Sequence, residues 1–254
     1  MRKATFAGQF YPSDKKEILF MLDNLLKEKK GKAKGIIVPH AGYTFSGKTA
    51  GLAYSELKDF DLAVIIGTNH NSSSQCVSLE DFKTPLGIAK NAEETAKLGI
   101  KEDETVHQNE HSIGVQIPFI QKLNPEAEII PILASQNKKE NKELAEKIYN
   151  TVRRPFIFVI SSDFTHAGLS YGYPISYERA EQTDRQAIKK IEELNSEEFF
   201  DIARKTTICG RNAILVGIEL AKYLRLKPKL LDFSSSASIS GKQNFVNYAS
   251  LVFE

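Results

Sequence analysis

Short apolar runs and helical periodicities alternate along this chain, and together they predict most of its elements. The run Gly35-Ile36-Ile37-Val38 has no polar alternation, the pattern of a strand buried on both faces. Pro39 ends it, because proline cannot donate to a sheet ladder. Ahead of it, Ile18, Leu19, Leu22, Leu25 and Leu26 recur at helical spacing over 15–29, behind the capping pair Ser13-Asp14. A helix over about 46–57 follows the first strand, and the run DLAVIIG (61–67) is a second buried strand. Strand, helix and strand within about 30 residues make a βαβ unit with parallel strands.

Further on the pattern weakens and then recovers. Residues 75–90 hold two short extended runs, a hairpin or edge strands, and a helix is predicted over 91–98. The polar stretch 102–111 reads as a surface loop. Residues 112–123 read as one helix, with Pro118 awkwardly in its middle. Strands are predicted at 128–133 and 155–161, and helices at 138–152, 177–194, 196–205 and 211–223. Two last strands fall at about 229–236 and 245–253. The order predicts one α/β domain over 1–254, a mostly parallel, mixed sheet with helices on both faces and antiparallel additions.

Composition narrows the function classes. The 254 residues are 41% hydrophobic and 26% charged, enough for a core without disulfides or a structural metal. Thirty-four basic and 32 acidic residues are mixed along the chain, which gives no footprint for nucleic acid or an anionic membrane. No apolar run approaches the roughly 18 residues of a membrane span, and the N-terminus lacks the apolar core of a signal peptide. Cys76 and Cys209 stand far apart. A reducing, cytoplasmic setting is therefore expected.

Candidate chemistry gathers at one edge of the predicted sheet. Three of the four clearest strands are followed within a few residues by His40, His70 and His166, out of only five histidines. Ligands of open α/β sheets bind beyond the carboxyl ends of the strands. Asp163 accompanies His166 at i, i+3, and His111 opens a helix. Converging imidazoles with one anionic residue are the minimum for a metal site with open positions. The anion is either Asp163 or the thiolate of Cys209, which lies before a predicted helix and beside Arg211. Plainer readings exist for each: a backbone-bonded turn histidine, an Asx-turn aspartate, a small core cysteine. His107 reads as a solvated loop residue. HQNEH (107–111) is not the zinc-protease HExxH, and no GxGxxG, P-loop or GxSxG occurs.

Six segments together resemble the Memo family: RKATFAGQFYP at 2–12, PHAGYTFSG at 39–47, GTNH at 67–70, EHSIGVQIPF at 110–119, SSDFTHAG at 161–168 and TICGR at 207–211. They run in order through nearly the whole chain. That family is similar in fold to the class III extradiol dioxygenases, non-haem iron enzymes that open catechol rings, which implies a three-layer α/β/α architecture. The resemblance implies that His40, His70 and Cys209 bind the metal, iron or copper with zinc as a further option. It implies that His111, Asp163 and His166 line the same pocket as catalytic candidates. A cysteine replaces the carboxylate of the dioxygenase triad, which shifts preference toward softer metals. The family is also associated with phosphotyrosine peptides in animals. The expected partner is accordingly a small molecule or a peptide in the pocket: the substrate of a metal-dependent oxidoreductase, or an anion received by a metal-free binding module in which Arg211 and a nearby histidine take the charge.

Overall fold

Four parallel strands form the middle of the sheet, and each is apolar but for Glu128 and Ser161 at two strand ends, because helices cover both faces. The computed structural model describes residues 1–28 and 31–254. The chain begins with α1 (Lys15–Leu25), β1 (Gly35–Val38), α2 (Tyr43–Tyr54), β2 (Leu62–Gly67), β3 (Cys76–Val77), β4 (Phe82–Thr84) and β5 (Gly87–Ala89). Four short helices follow, α3 (Glu94–Lys97), α4 (Glu104–Gln108), α5 (His111–Gly114) and α6 (Ile117–Leu123), then β6 (Glu128–Leu133), α7 (Lys138–Thr151) and β7 (Ile157–Ser161). The last part holds β8 (His166–Gly168), α8 (Tyr177–Glu192), α9 (Ser196–Ala203), α10 (Arg211–Leu224), β9 (Pro228–Ser235), α11 (Ala237–Ser240) and β10 (Asn244–Phe253).

The strand order is β3-β6-β2-β7-β1-β10-β8, with β9 also on β10. Strands β6, β2, β7 and β1 are parallel, and the flanking pairings are antiparallel. Alternate residues of each strand feed two separate cores. Ile37, Val64, Ile66 and Ile160 pack with α7 to α10. Ile36, Val38, Ile65 and Val159 pack with α1, α2 and α6. This is the expected three-layer α/β architecture, with a mixed, mostly parallel sheet. Each such buried aliphatic contributes roughly 1.5–3 kcal/mol, so a one-residue slip of a central strand would misplace several at once.

Several elements differ from the sequence reading for identifiable reasons. β1 and β2 are parallel but not adjacent, because β7 is inserted between them. α1 is capped by Asp14 as expected but ends at Leu25, after which the Lys27 N–H donates to Ser55 Oγ; Lys29 lies outside the described residues. α2 begins earlier, at Tyr43, whose otherwise orphaned N–H donates to Phe10 O. The helix expected over 91–98 shrinks to α3, since Asn91 is held by Ser78 O and Asp81 and bridges Ile129. The single helix over 112–123 is two, with Pro118 in the first turn of α6, where its missing N–H costs nothing. Among the described residues no helix is long and apolar enough to cross a membrane.

The loop expected over 102–111 is the largest departure. It contains α4, and both His107 and Glu110 are fully buried. His107 is not solvated: its Nε2 lies 3.4 Å from Cys76 O, and burial lowers its pKa to about 4.

Candidate metal centre

The carboxyl ends of β1, β7 and β2 lie side by side, and the segments leaving them build the site. β1 delivers His40 through Pro39, and β2 delivers His70 through Thr68-Asn69. Between them β7 supplies Ser161 and then Asp163. The His40 and His70 rings are 5.4 Å apart, and His111, opening α5, stands 5.0 and 4.9 Å from them. One ring nitrogen from each of these three histidines lies within 4.8 Å of the others.

The tautomer of His40 follows from its neighbours. Ser161 Oγ donates its single proton to Ser112 O at 2.6 Å. Gln116 Nε2 donates to Pro39 O and to Ser161 Oγ, both at 3.0 Å. With its donor used, Ser161 Oγ must accept from His40 Nδ1 at 2.9 Å. Backbone carbonyls at both ends, which can only accept, fix the direction of the chain. Nδ1 therefore carries the proton, and Nε2 presents a lone pair to the site. Burial and the neighbouring His111 and His70 push the ring well below the usual histidine range, so it is neutral.

A buried carboxylate serves the other two rings. Glu110 is fully buried and accepts from the backbone N–H of His70 and of Ser112, at 2.8 and 2.9 Å. Its oxygens lie 3.0 and 3.1 Å from His70 Nδ1, and one is 3.4 Å from His111 Nδ1. Burial opposes a charged His70, but its hydrogen bonds to Cys209 and Glu110 outweigh that and raise it to about 10. The same contacts overcome the burial of Glu110 and hold it down at about 2. Burial lowers His111.

Cys209 arrives from a distant turn just ahead of α10. Its Sγ lies 3.3 Å from His40 Nε2 and donates to Asp163 O at 3.5 Å. Gly210 makes this approach possible. Its N–H donates to Ser162 Oγ at 3.0 Å, and a Cβ there would fall 2.3 Å from Ser162 Cβ. No side chain larger than hydrogen fits.

Asp163 and His166 border the same space. Asp163 Oδ1 accepts from the N–H groups of His40 and Ala41, at 2.8 and 3.3 Å, and burial raises its carboxyl pKa. It does not orient His166 through a hydrogen bond, since Oδ2 is 4.0 Å from His166 Nε2. Two carbonyls do that instead: Phe164 O and Thr207 O lie 3.0 and 3.2 Å from His166 Nδ1, which must donate to them. His111, Asp163 and His166 line one cleft of about 530 Å³ together with Phe10, Tyr171 and Tyr248. Phe10 stacks on His111 at 4.7 Å. Among the described residues lining the cleft none is Lys or Arg, and Arg211 is not one of them.

Of the six site residues expected from the sequence, His40 is thus brought against His70, His111 and Cys209, while His111, Asp163 and His166 line the adjoining cleft. Sequence reasoning missed Glu110, Ser161 and Gln116, which fix the rings. The only signal for Glu110 was an acid directly before a helix-opening histidine. The donors suit a metal in two respects. His40 offers a neutral lone pair, and its 3.3 Å separation from sulfur is close to the edge between two ligands of one ion. Tetrahedral bonds of about 2.1 Å to nitrogen and 2.3 Å to sulfur place those atoms about 3.6 Å apart.

Comparison with known proteins agrees with the six segments. Residues 2–252 match the family described as Memo-like protein. A MEMO1 family protein of Archaeoglobus fulgidus is 31% identical, over 100% of this chain and 99% of its own length. One from Thermoplasma volcanium is 33% identical over 99% and 98%, and one from Methanosarcina barkeri 34% over the full length of both. With a family match over nearly the whole sequence and full-length relatives above 30% identity, the chain belongs to the Memo family.

Proposed function

We propose that this protein binds a redox-active transition metal through His40, His70 and Cys209, and acts on a small ligand that enters the neighbouring cleft. The observation that carries this reading is the meeting of the Cys209 sulfur with His40 Nε2 at 3.3 Å, beside two further imidazoles. Iron or copper fits this donor set, and zinc would accept the same ligands. Such a metal, when bound, supplies one-electron chemistry and open coordination positions. Class III extradiol dioxygenases, which this family resembles, use a carboxylate where Cys209 stands, so the thiolate favours the softer ion here.

The chain's own groups divide the remaining work. Ser161 and Gln116 keep His40 in the tautomer whose lone pair faces the site. His166, with Nδ1 committed to two carbonyls, leaves Nε2 free to take a proton from a ligand hydroxyl in the cleft. Asp163 holds the turn after β1 through the His40 and Ala41 N–H groups and borders the cleft beside His166. The aromatic, hydroxyl-bearing lining without Lys or Arg suits an uncharged ligand better than a phosphorylated peptide.

The test is metal content. Protein purified without added metal is assayed for iron, copper and zinc, alongside His40→Ala and Cys209→Ser. Near-stoichiometric metal in wild type and a large loss in both variants is the expected result. Equal stoichiometry in all three removes the site.

A further inference from the structure

Glu110 lies behind both His70 and His111 and is fully buried. Both oxygens are engaged by the His70 and Ser112 N–H groups, by Asn71 Nδ2 and by the two Nδ1 atoms. Its own backbone carbonyl receives Arg2 Nη2 at 2.6 Å. The carboxylate is thus immobilised from several sides before any ligand arrives.

We propose that Glu110 is the positioning residue of this centre, the one carboxylate that aims both His70 and His111 at a shared ion. An ionised carboxylate can only accept, so the His70 Nδ1 hydrogen-bonded to it carries a proton, and so should a His111 Nδ1 turned toward it at 3.4 Å; a neutral His111 then keeps its lone pair on Nε2, and His70 presents one when it gives up its second proton to a metal. His70 and His111 are stacked, with centroids 4.9 Å apart and planes 18° from parallel, and both turn Nδ1 toward Glu110. Carboxylates behind metal-binding histidines fix tautomer and orientation in this manner, and their loss typically costs about 10- to 100-fold in metal affinity. His111 thereby becomes a ligand, or the residue that takes up a ligand position when the thiolate leaves one open. The inference rests on the metal reading only for its affinity arm.

Two measurements test it. In metal-free wild-type protein at pH 8, long-range nitrogen–proton NMR should show His111 with the proton on Nδ1. In Glu110→Gln, whose amide can offer a donor to the same ring, that proton should move toward Nε2. With zinc ion alone as the probe, Glu110→Gln should bind about 10- to 100-fold more weakly than wild type. Glu104→Gln is the structural control. Glu104 also holds backbone N–H groups, those of Leu79 and Glu80, but touches no histidine, and its loss should leave zinc affinity unchanged. A wild-type His111 protonated on Nε2, or undiminished zinc binding in Glu110→Gln, overturns the proposal. The wild-type tautomer decides the matter even if the variant fails to fold. Wild-type protein that binds no zinc overturns the metal reading instead, while the tautomer still decides the role of Glu110.

Discussion

His40 Nε2 lies 3.3 Å from Cys209 Sγ, although 169 residues separate the two in the chain. The imidazole comes from the end of a central strand and the sulfur from the turn before α10. Only the packing of α10 on the face of β7 and β1 brings them together.

The Ser161 hydroxyl stands behind that pair, and Ser161→Ala should reveal it. The substitution leaves His40 Nδ1 and one proton of the Gln116 amide without an acceptor in a fully buried place. Stability should fall by about 1–3 kcal/mol, read from urea denaturation. Metal affinity should also fall, because the imidazole can now adopt the other tautomer. Unchanged affinity would mean that Ser161 does not set the ring.

Gly210→Ala should act on the sulfur side. The new Cβ would fall 2.3 Å from Ser162 Cβ and 2.7 Å from Thr68 Oγ1, so the turn carrying Cys209 must move. Overpacking of this kind typically costs about 1–3 kcal/mol. Copper competition titration should show weaker binding with every proposed ligand still present. Wild-type affinity would show that the placement of this turn is unimportant.

Asp184 controls the loop after β7 and should leave a pH signature. Its carboxylate accepts from Thr165 Oγ1 at 2.6 Å and from Asn247 Nδ2 at 2.8 Å, and Thr165 sits between Asp163 and His166. Burial pushes Asp184 up to about 6 from 3.8. The folded state therefore keeps a proton that the unfolded chain has already lost. Ionisation of Asp184 opposes folding, so its effect is absent below about pH 4, grows as pH rises toward 6, and is constant above. The penalty is about 3 kcal/mol. Asp184→Asn should remove it. Urea midpoints at pH 4 and pH 7.5 should show wild type losing stability relative to the variant as pH rises, and parallel behaviour would contradict this.

The sequence announced the strands because both faces of each are covered, so GIIV and LAVIIG hold no polar side chain and IFVIS only the serine at its end. Histidines at their ends were visible for the same reason. What local pattern could not reveal was strand order. Nothing near residue 157 says that β7 enters between β1 and β2, yet that insertion places Ser161 against His40. The stretch holding Glu110 was misread because its composition is that of a surface loop. Glu110 and His107 are buried against partners far away in sequence, such as the His70 N–H and Cys76 O. Buried polar residues paired at long range carry no periodic signal.

X-ray absorption at the metal edge of copper- or iron-loaded protein tests the central claim most directly. A sulfur scatterer at about 2.3 Å beside nitrogen scatterers is the expected spectrum, with the sulfur shell lost in Cys209→Ser. A wild-type spectrum holding only nitrogen and oxygen neighbours, or one unchanged by the substitution, would contradict a metal centre built on His40 and Cys209.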